Sequence, residues 1–134
     1  MKWATRERLH IDRTACAWLI LRFIDADAQF IFVADPADVP PDATPFDITG
    51  AAFGHQNGRS SFEVMIDHFG ISRPGLERLA QIIHEADVED ERFDAPESPG
   101  VNAVIRGLGE AIPDDLRLIE ATLPIYDALL VHLA

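Results

Sequence analysis

The chain has 134 residues, of which 48% are hydrophobic, and its 11 lysines and arginines against 23 aspartates and glutamates give a formal net charge of −12. The hydrophobic fraction is enough to close one core, which excludes an intrinsically disordered chain and predicts one domain over residues 1–134. The acidic balance argues against general binding to duplex nucleic acid, because neutralising phosphates needs a basic face.

Cysteine usage and hydropathy predict a cytoplasmic protein without a membrane partner. The one cysteine cannot form an internal disulfide. No apolar leader opens the chain. The longest apolar run, residues 15–21, is far shorter than the roughly 20 residues that a spanning helix needs.

The N-terminal part of the chain predicts two strands with a buried helix between them. Alternating polar and apolar residues predict a strand over Lys2–Arg6, and the β-branched and aromatic run Gln29–Val33 predicts a buried strand. Asp12 is predicted to be the N-cap of a helix over residues 13 to about 25. That helix is apolar on nearly every face, which is typical of a central helix surrounded by protein.

The middle of the chain predicts loops and one more strand. Residues 34–45 contain three aspartates and four prolines and predict a long surface loop. Residues 46–48 predict a third short strand, and the glycines that follow predict a flexible turn. Ser60 is predicted to begin a helix, because Ser60 and Glu63 fit the S-x-x-E capping box.

The C-terminal half predicts helices. One helix is expected over about residues 73–86 and another over about residues 101–109, with a loop rich in proline and acid, residues 87–99, between them. Asp114 is expected to cap a last helix that runs towards His132, and Pro124 is expected to kink or split it. The predicted fold class is α+β, mainly helical: a small sheet of about three short strands near the N-terminus, packed by about five helices.

The segment between the first strand and the buried helix predicts an anion site. Free backbone N–H groups and the helix dipole favour an anion at a helix N-terminus. Arg6, Arg8 and Arg13 would add forked donors for a tetrahedral oxyanion. In the alternative interpretation, Arg8 and Arg13 are solvated and pair with Glu7 or Asp12.

Two charged residues lie in apolar surroundings and need partners. Arg22 lies inside the apolar helix, and Asp25, one turn on, is its predicted partner, with a ligand role as the alternative. Asp127 stands between Tyr126 and an apolar run, where a buried carboxylate would need Arg22, Arg13 or the Tyr126 hydroxyl as a partner.

His55 is the histidine best placed for a ligand role, because it lies in a glycine-flanked loop directly before a helix. If His55 and Glu63 converge, an imidazole and a carboxylate together favour a divalent metal ion. The residues that would complete the shell are Asp12, Asp47 or His10, with Asp127 as a further carboxylate. The alternative for Glu63 is the capping box, which needs no metal.

The other titratable candidates are interpreted as structural. Cys16 lies on the apolar surface of the central helix and is expected to be a small core residue rather than a nucleophile. Three further histidines, His68, His84 and His132, fall within predicted helices. They are expected to be partly exposed, or to be packing residues whose ring nitrogens have hydrogen-bond partners.

The chain resembles a known family along almost its whole length. Residues 10–25, HIDRTACAWLILRFID, followed by FIFV at residues 30–33, closely resemble the opening of the C-terminal domain of the ChrB-type chromate-resistance proteins. Shorter landmarks follow in the same order: PFD at residues 45–47, GH at 54–55, SFE at 61–63 and PIYDAL at 124–129. The resemblance implies a role in bacterial chromate resistance, where full-length members act as chromate-responsive regulators of an efflux operon. Related domains are joined to rhodanese-like sulfurtransferase modules.

The leading functional hypothesis is a ligand-sensing or accessory domain that binds a chromate-like or sulfate-like oxyanion. Its site residues are Arg6, Arg13, Arg22 and His10, with His55 beside them. The chain shows no winged-helix-like or rhodanese-like segment, so direct binding to nucleic acid is not expected.

The alternative hypothesis is a metal-dependent enzyme, redox or hydrolytic, with a divalent metal ion as cofactor. Its site residues are His55, Glu63, Asp12 and Asp127. A third possibility is an interaction module for a separate regulator or sulfurtransferase partner, and self-association is left open.

Overall fold

The strands of the protein pair in parallel around the N-terminal strand. In a computed structural model, which describes residues 1–134, β1 (Lys2–Arg6) lies between β2 (Gln29–Val33) and β3 (Thr44–Pro45). Trp3 of β1 is in register with Phe30 on one side and with Thr44 on the other. The three middle residues of β1 are buried, as expected for an inner strand.

Five α-helices follow or interrupt these strands, so the predicted fold class is confirmed. They are α1 (Ile11–Leu19), α2 (Ser61–Phe69), α3 (Leu76–Val88), α4 (Ser98–Ala111) and α5 (Asp115–Leu133). A wider π-helical segment, Ile20–Ile24, extends α1, and a short 3-10 helix, Pro36–Asp38, lies in the loop after β2. No helix has both the length and the apolar character needed to cross a membrane.

The first helix is central, as its apolar composition predicts. Each of the other four helices packs against α1, and Trp18 on α1 is fully buried. The ring of Trp18 lies 6.2 Å from that of Phe62 on α2 and 5.8 Å from that of Tyr126 on α5. This aromatic cluster joins three helices and accounts for much of the apolar burial around α1.

Two of the strand predictions are corrected. β2 is an edge strand rather than a buried one: only Val33 is fully buried in it, because β2 has a neighbour on one side alone. The third strand is Thr44–Pro45 rather than residues 46–48. Phe46 still donates a backbone hydrogen bond to the carbonyl of Ala4 at 2.9 Å, so the pairing continues one residue beyond the strand.

The predicted N-cap of α1 is wrong. The helix begins at Ile11, and His10 is the N-cap residue, with no side-chain hydrogen bond to the helix. Asp12 lies inside the first turn and is 1% exposed. Its carboxylate turns inward to a different helix, α2, which offers free backbone N–H groups.

Two helix boundaries differ from those predicted, and Pro124 does not split its helix. Helix α3 ends at Val88, so Asp87 lies in its last turn rather than in the loop at residues 87–99. Helix α4 is longer than predicted at both ends. Helix α5 continues through Pro124, because Pro124 and Glu120 are both exposed and water can reach the backbone groups that the proline leaves without a helical bond.

The capping box at the start of α2 is confirmed and predicts a measurable loss of stability in Ser60→Ala. The Ser60 hydroxyl accepts a hydrogen bond from the Glu63 amide at 3.2 Å, and the Glu63 carboxylate accepts one from the Ser60 amide at 3.0 Å. Removing the hydroxyl should lower the free energy of unfolding by about 1 kcal/mol in urea denaturation. Ser72→Ala, at an exposed serine, is the control and should change it by less than about 0.5 kcal/mol; equal losses would contradict the role of the cap.

Candidate functional site

A buried carboxylate joins the first turn of α1 to the first turn of α2. Asp12 accepts hydrogen bonds from the backbone amides of Ser61, at 2.9 Å, and Phe62, at 3.0 Å. The positive end of the α2 dipole and these two donors compensate the burial of the negative charge. The Cys16 thiol also donates to Oδ1 at 3.8 Å, so the lone pair left for another group is on Oδ2.

A second carboxylate, Asp47, lies beside the same turn of α2. It accepts a hydrogen bond from the Ser61 hydroxyl at 2.6 Å and forms an ion pair with Arg13, whose Nε lies 3.0 Å from Asp47 Oδ2. The Arg13 guanidinium also donates to the carbonyls of Arg6 and Arg8, both at 3.3 Å. Arg13 therefore clamps the loop between β1 and α1 onto Asp47.

The loop after Asp47 brings His55 back to these carboxylates. The Asp47 amide donates to the carbonyl of Phe53 at 2.8 Å, which closes the loop. Gly54 is required there, because a Cβ at this position would lie 2.3 Å from the carbonyl oxygen of Ile48. The His55 Nε2 atom then lies 2.9 Å from Asp12 Oδ2 and 3.7 Å from Asp47 Oδ1.

Asp87, in the last turn of α3, supplies a third carboxylate. Its Oδ2 lies 3.3 Å from His55 Nε2, its side chain is 20% exposed, and it accepts no hydrogen bond. Candidate ligand atoms of Asp12, His55 and Asp87 all lie within 4.8 Å of one another. Two ligands of one cation with bonds of about 2.2 Å are at most about 4.4 Å apart, so small movements would bring these atoms around one ion. We call Asp12, Asp47, His55 and Asp87 the acidic cluster.

The acidic cluster contains three carboxylates, and only His55 and Arg13 supply positive charge to compensate them. Burial, followed by the charge of Asp12, raises the pKa of Asp47 to about 7 and that of Asp87 to about 6. The contact with Asp12, with further attraction from Asp47 and Asp87, raises the pKa of His55 to about 9. At neutral pH the imidazolium of His55 therefore stands where a metal cation would compensate the same carboxylates.

The structure brings His55 and Asp12 together but not the other two residues of the predicted metal set. Glu63 completes the capping box and contacts His84 Nδ1 at 2.5 Å. Asp127 accepts a hydrogen bond from the Trp18 indole at 2.8 Å and is 43% exposed rather than buried.

The predicted pairing of Arg22 with Asp25 is wrong. Arg22 forms a two-pronged ion pair with Asp127 on α5, with its Nη2 atom 2.7 Å from Asp127 Oδ2 and its Nε atom 3.0 Å from Oδ1. Asp25 has extended backbone dihedrals at the end of the π-helical segment, so it no longer shares a helix face with Arg22. Its carboxylate accepts a hydrogen bond from the Trp3 indole at 3.0 Å instead.

The predicted oxyanion residues do not form one pocket. Arg13 is bound to Asp47 near the start of α1, whereas Arg22 is bound to Asp127 beyond its end. Arg6 and His10 are exposed, and Arg6 forms no salt bridge.

A cleft of about 740 Å³ does lie at the N-terminal end of α1. Arg8 and His10 line it together with Arg106 of α4, and Asp87 of the acidic cluster is on its wall. Neither Arg8 nor Arg106 forms a salt bridge. Burial, followed by the charges of Arg13 and Arg106, lowers the pKa of His10. Glu110 and Asp115 line the same cleft, so cationic and acidic groups share its wall.

Sequence reasoning missed Asp87. The proline-rich and acidic composition of residues 87–99 predicts a loop that begins at Asp87, whereas the helix continues to Val88. A helix extended by two residues places Asp87 one turn after the buried residues Ile83 and His84 and turns it towards the core.

Comparisons with known proteins agree on one family. A family model described as "ChrB, C-terminal domain" matches residues 3–133. Protein ChrB from Cupriavidus metallidurans (strain CH34) is 43% identical to the chain over 132 residues, which cover 98% of this chain. The chain spans 40% of the length of that relative. No solved structure matches.

The raised pKa values of the acidic cluster predict that the metal-free protein loses stability as pH rises. A group whose pKa is higher in the folded than in the unfolded chain stabilises the fold below its unfolded pKa, and that stabilisation is lost as pH rises through its folded pKa. For His55 this window runs from the ordinary value of 6.5 to about 9. We expect the free energy of unfolding in the presence of a chelator to fall over this range.

The His55 ring resonances, followed by NMR, should titrate near pH 9 in the same samples. A ring that titrates at 6.5 or below, or a protein that becomes more stable over this range, would contradict the arrangement.

Proposed function

The chain belongs to the family of ChrB C-terminal domains of the chromate-resistance proteins, and from that premise we propose that it is a ligand-sensing or accessory domain that works through a bound divalent cation. The cation site is formed by Asp12, His55 and Asp87, with Asp47 beside them.

The observation that carries this proposal is the state of the Asp87 carboxylate. It is largely buried, accepts no hydrogen bond, and lies beside the carboxylate of Asp12 and the imidazole of His55. His55 Nε2 can donate one hydrogen only, and Asp12 is its nearest acceptor. A carboxylate in this position costs free energy unless a cation compensates it, and a divalent ion would do so for all three carboxylates at once.

The donor set indicates the class of ion. One imidazole nitrogen with carboxylate oxygens suits Mn²⁺, Fe²⁺ or Zn²⁺, whereas a site for Mg²⁺ or Ca²⁺ normally consists of oxygen ligands alone. His55 would bind such an ion through the unprotonated Nε2, so binding would release the proton that the imidazolium carries.

A second candidate function is the binding of a small oxyanion, and the cleft beside the acidic cluster favours it. Arg8, His10 and Arg106 line that cleft and neither arginine forms a salt bridge, while the carboxylates of Asp87, Glu110 and Asp115 line it as well. Forked guanidinium donors suit a tetrahedral oxyanion such as chromate or sulfate. Of the residues first considered for this role, only Arg8 and His10 line the cleft. The proposal therefore rests on these two residues together with Arg106.

Metal binding should stabilise the wild-type protein and should fail in Asp87→Asn. After chelator treatment, Mn²⁺ at a hundredfold excess over its Kd should raise the free energy of unfolding by about 2.7 kcal/mol. Asp87→Asn and His55→Ala should lose this gain. Asp87→Asn should leave the metal-free protein as stable as the wild type or more so at pH 8, because it removes an uncompensated carboxylate.

Asp127→Asn is the matched control, since it also neutralises a carboxylate, but one bound to Arg22 away from the cluster. Elemental analysis of protein purified without an affinity tag gives the occupancy directly. Protein that folds fully but shows no Mn²⁺, Fe²⁺ or Zn²⁺ uptake sinks the proposal, as does uptake that Asp87→Asn leaves intact.

Oxyanion binding should depend on Arg106. Titration of sulfate and chromate by calorimetry should give binding to the wild type that is weakened about tenfold in Arg106→Gln, the loss expected for one charge-assisted hydrogen bond. Arg73→Gln removes the same charge from an exposed loop and should bind as the wild type does. Equal weakening in both variants would indicate a general charge effect and would contradict the cleft as the site.

A further inference from the structure

His84, a buried histidine outside the acidic cluster, connects α2 and α3, two helices that position the residues of the cluster. His84 of α3 is 1% exposed, and its ring lies between two carboxylates. Nδ1 is 2.5 Å from Glu63 Oε1 on α2, and Nε2 is 2.7 Å from Asp90 Oδ2 in the loop after α3. Only the doubly protonated ring can donate to both, so His84 acts as a buried cationic link between α2, α3 and the following loop.

On the Glu63 side, hydrogen bonds connect His84 to Asp12 and Asp47, two carboxylates of the acidic cluster. The Glu63 oxygen that faces His84 also accepts hydrogen bonds from the amide and the hydroxyl of Ser60, both at 3.0 Å. These bonds fix the first turn of α2. That turn presents the two amides that hold Asp12 and the Ser61 hydroxyl that holds Asp47.

His84 itself lies on α3, the helix that supplies Asp87, the third carboxylate of the cluster. Asp87 follows His84 by three residues on α3, so the two side chains share one turn of one helix. The distance between Asp87 and the pair of Asp12 and Asp47 therefore depends on how the N-terminus of α2 is seated against α3. His84 and Glu63 form the polar contact that sets this seating.

We propose that His84 is a positioning residue for the cation site: by binding Glu63 it holds the N-terminus of α2, with Asp12 and Asp47, at the distance from Asp87 that one ion requires. This inference rests on the proposed function of the acidic cluster. His84 contacts neither the ion nor its ligands, and acts through Glu63 and Ser60.

The charged groups around His84 support a cationic ring. Glu63 faces it from α2 and Asp90 from the loop after α3. On its own helix, Asp87 is close enough for the charge of His84 to lower its pKa. The edge of the Phe93 ring packs against the imidazole with ring centres 5.1 Å apart. Burial opposes the charged form, but the hydrogen bonds to Asp90 and Glu63 outweigh it and raise the pKa of His84.

The test compares His84→Gln, Glu63→Gln and the double variant. Calorimetric titration with Mn²⁺ alone should show binding about tenfold weaker in each single variant, as is usual when a group that orients a ligand is lost. The double variant should be no weaker than the worse single one, because both changes break the same contact. The visible absorption of bound Co²⁺ should shift in His84→Gln, because the ligand geometry changes.

Ser98→Ala is the matched control. Its hydroxyl makes a buried hydrogen bond to the carbonyl of Ile82 at 2.8 Å, so this variant weakens a contact of α3 with α4 but not with α2. It should bind Mn²⁺ as the wild type does at a comparable loss of stability. Unchanged Mn²⁺ affinity in folded His84→Gln, additive losses in the double variant, or equal weakening in Ser98→Ala would each overturn the inference.

Failure of the inference can be told apart from failure of the metal proposal. Wild-type protein that takes up none of Mn²⁺, Fe²⁺ and Zn²⁺ refutes the metal proposal, and the backbone amides of the first turn of α2 in metal-free protein then decide the role of His84. The amide resonances of Ser61 and Phe62, followed by NMR, should shift in His84→Gln and stay in place in Ser98→Ala, because only the first variant loosens the turn of α2 that holds Asp12. If His84→Gln does not fold, Glu63→Gln gives the same readouts at a position that is 15% exposed.

Discussion

The hydrogen bonds from two amides of α2 to the carboxylate of Asp12 are the interaction on which both the fold and the site depend. Asp12 is almost fully buried in the first turn of the central helix, so its charge is tolerable only while the start of α2 points at it. The same geometry fixes where α2 begins relative to α1. The same two hydrogen bonds therefore join α1 to α2 and place the Asp12 carboxylate beside His55.

Local signals in the sequence predicted much of the architecture. Strands β1 and β2, the central helix, the capping box of Ser60 and Glu63 and the Asp114 cap of α5 follow from residue patterns over a few positions. The site could be predicted only in part, because its contacts join residues far apart in the chain. Asp12 bonds to amides 49 and 50 residues away, and no periodicity reports such a partner.

The acidic cluster also shows how an excess of negative charge is distributed. Most acidic residues lie on the surface, where water screens them, and several pair with arginines at the rim of the fold, as Asp127 does with Arg22. Three carboxylates are instead gathered around His55, with Arg13 as the other cation, at Asp47. Placing these carboxylates together lowers the stability of the metal-free chain, because binding sites are commonly formed at some cost in the stability of the fold.

The unequal exposure of the cluster has a kinetic consequence. Asp12, Asp47 and Asp87 are 2%, 9% and 20% exposed and are fixed by helices or by Arg13, whereas His55 is 47% exposed on a loop. An ion at this site would exchange with solvent past His55, which is the most exposed of the four side chains and lies on a loop. The residence time of the ion would then depend on how fast the short loop that carries His55 opens. Its affinity would depend on how the N-terminus of α2 packs against α3.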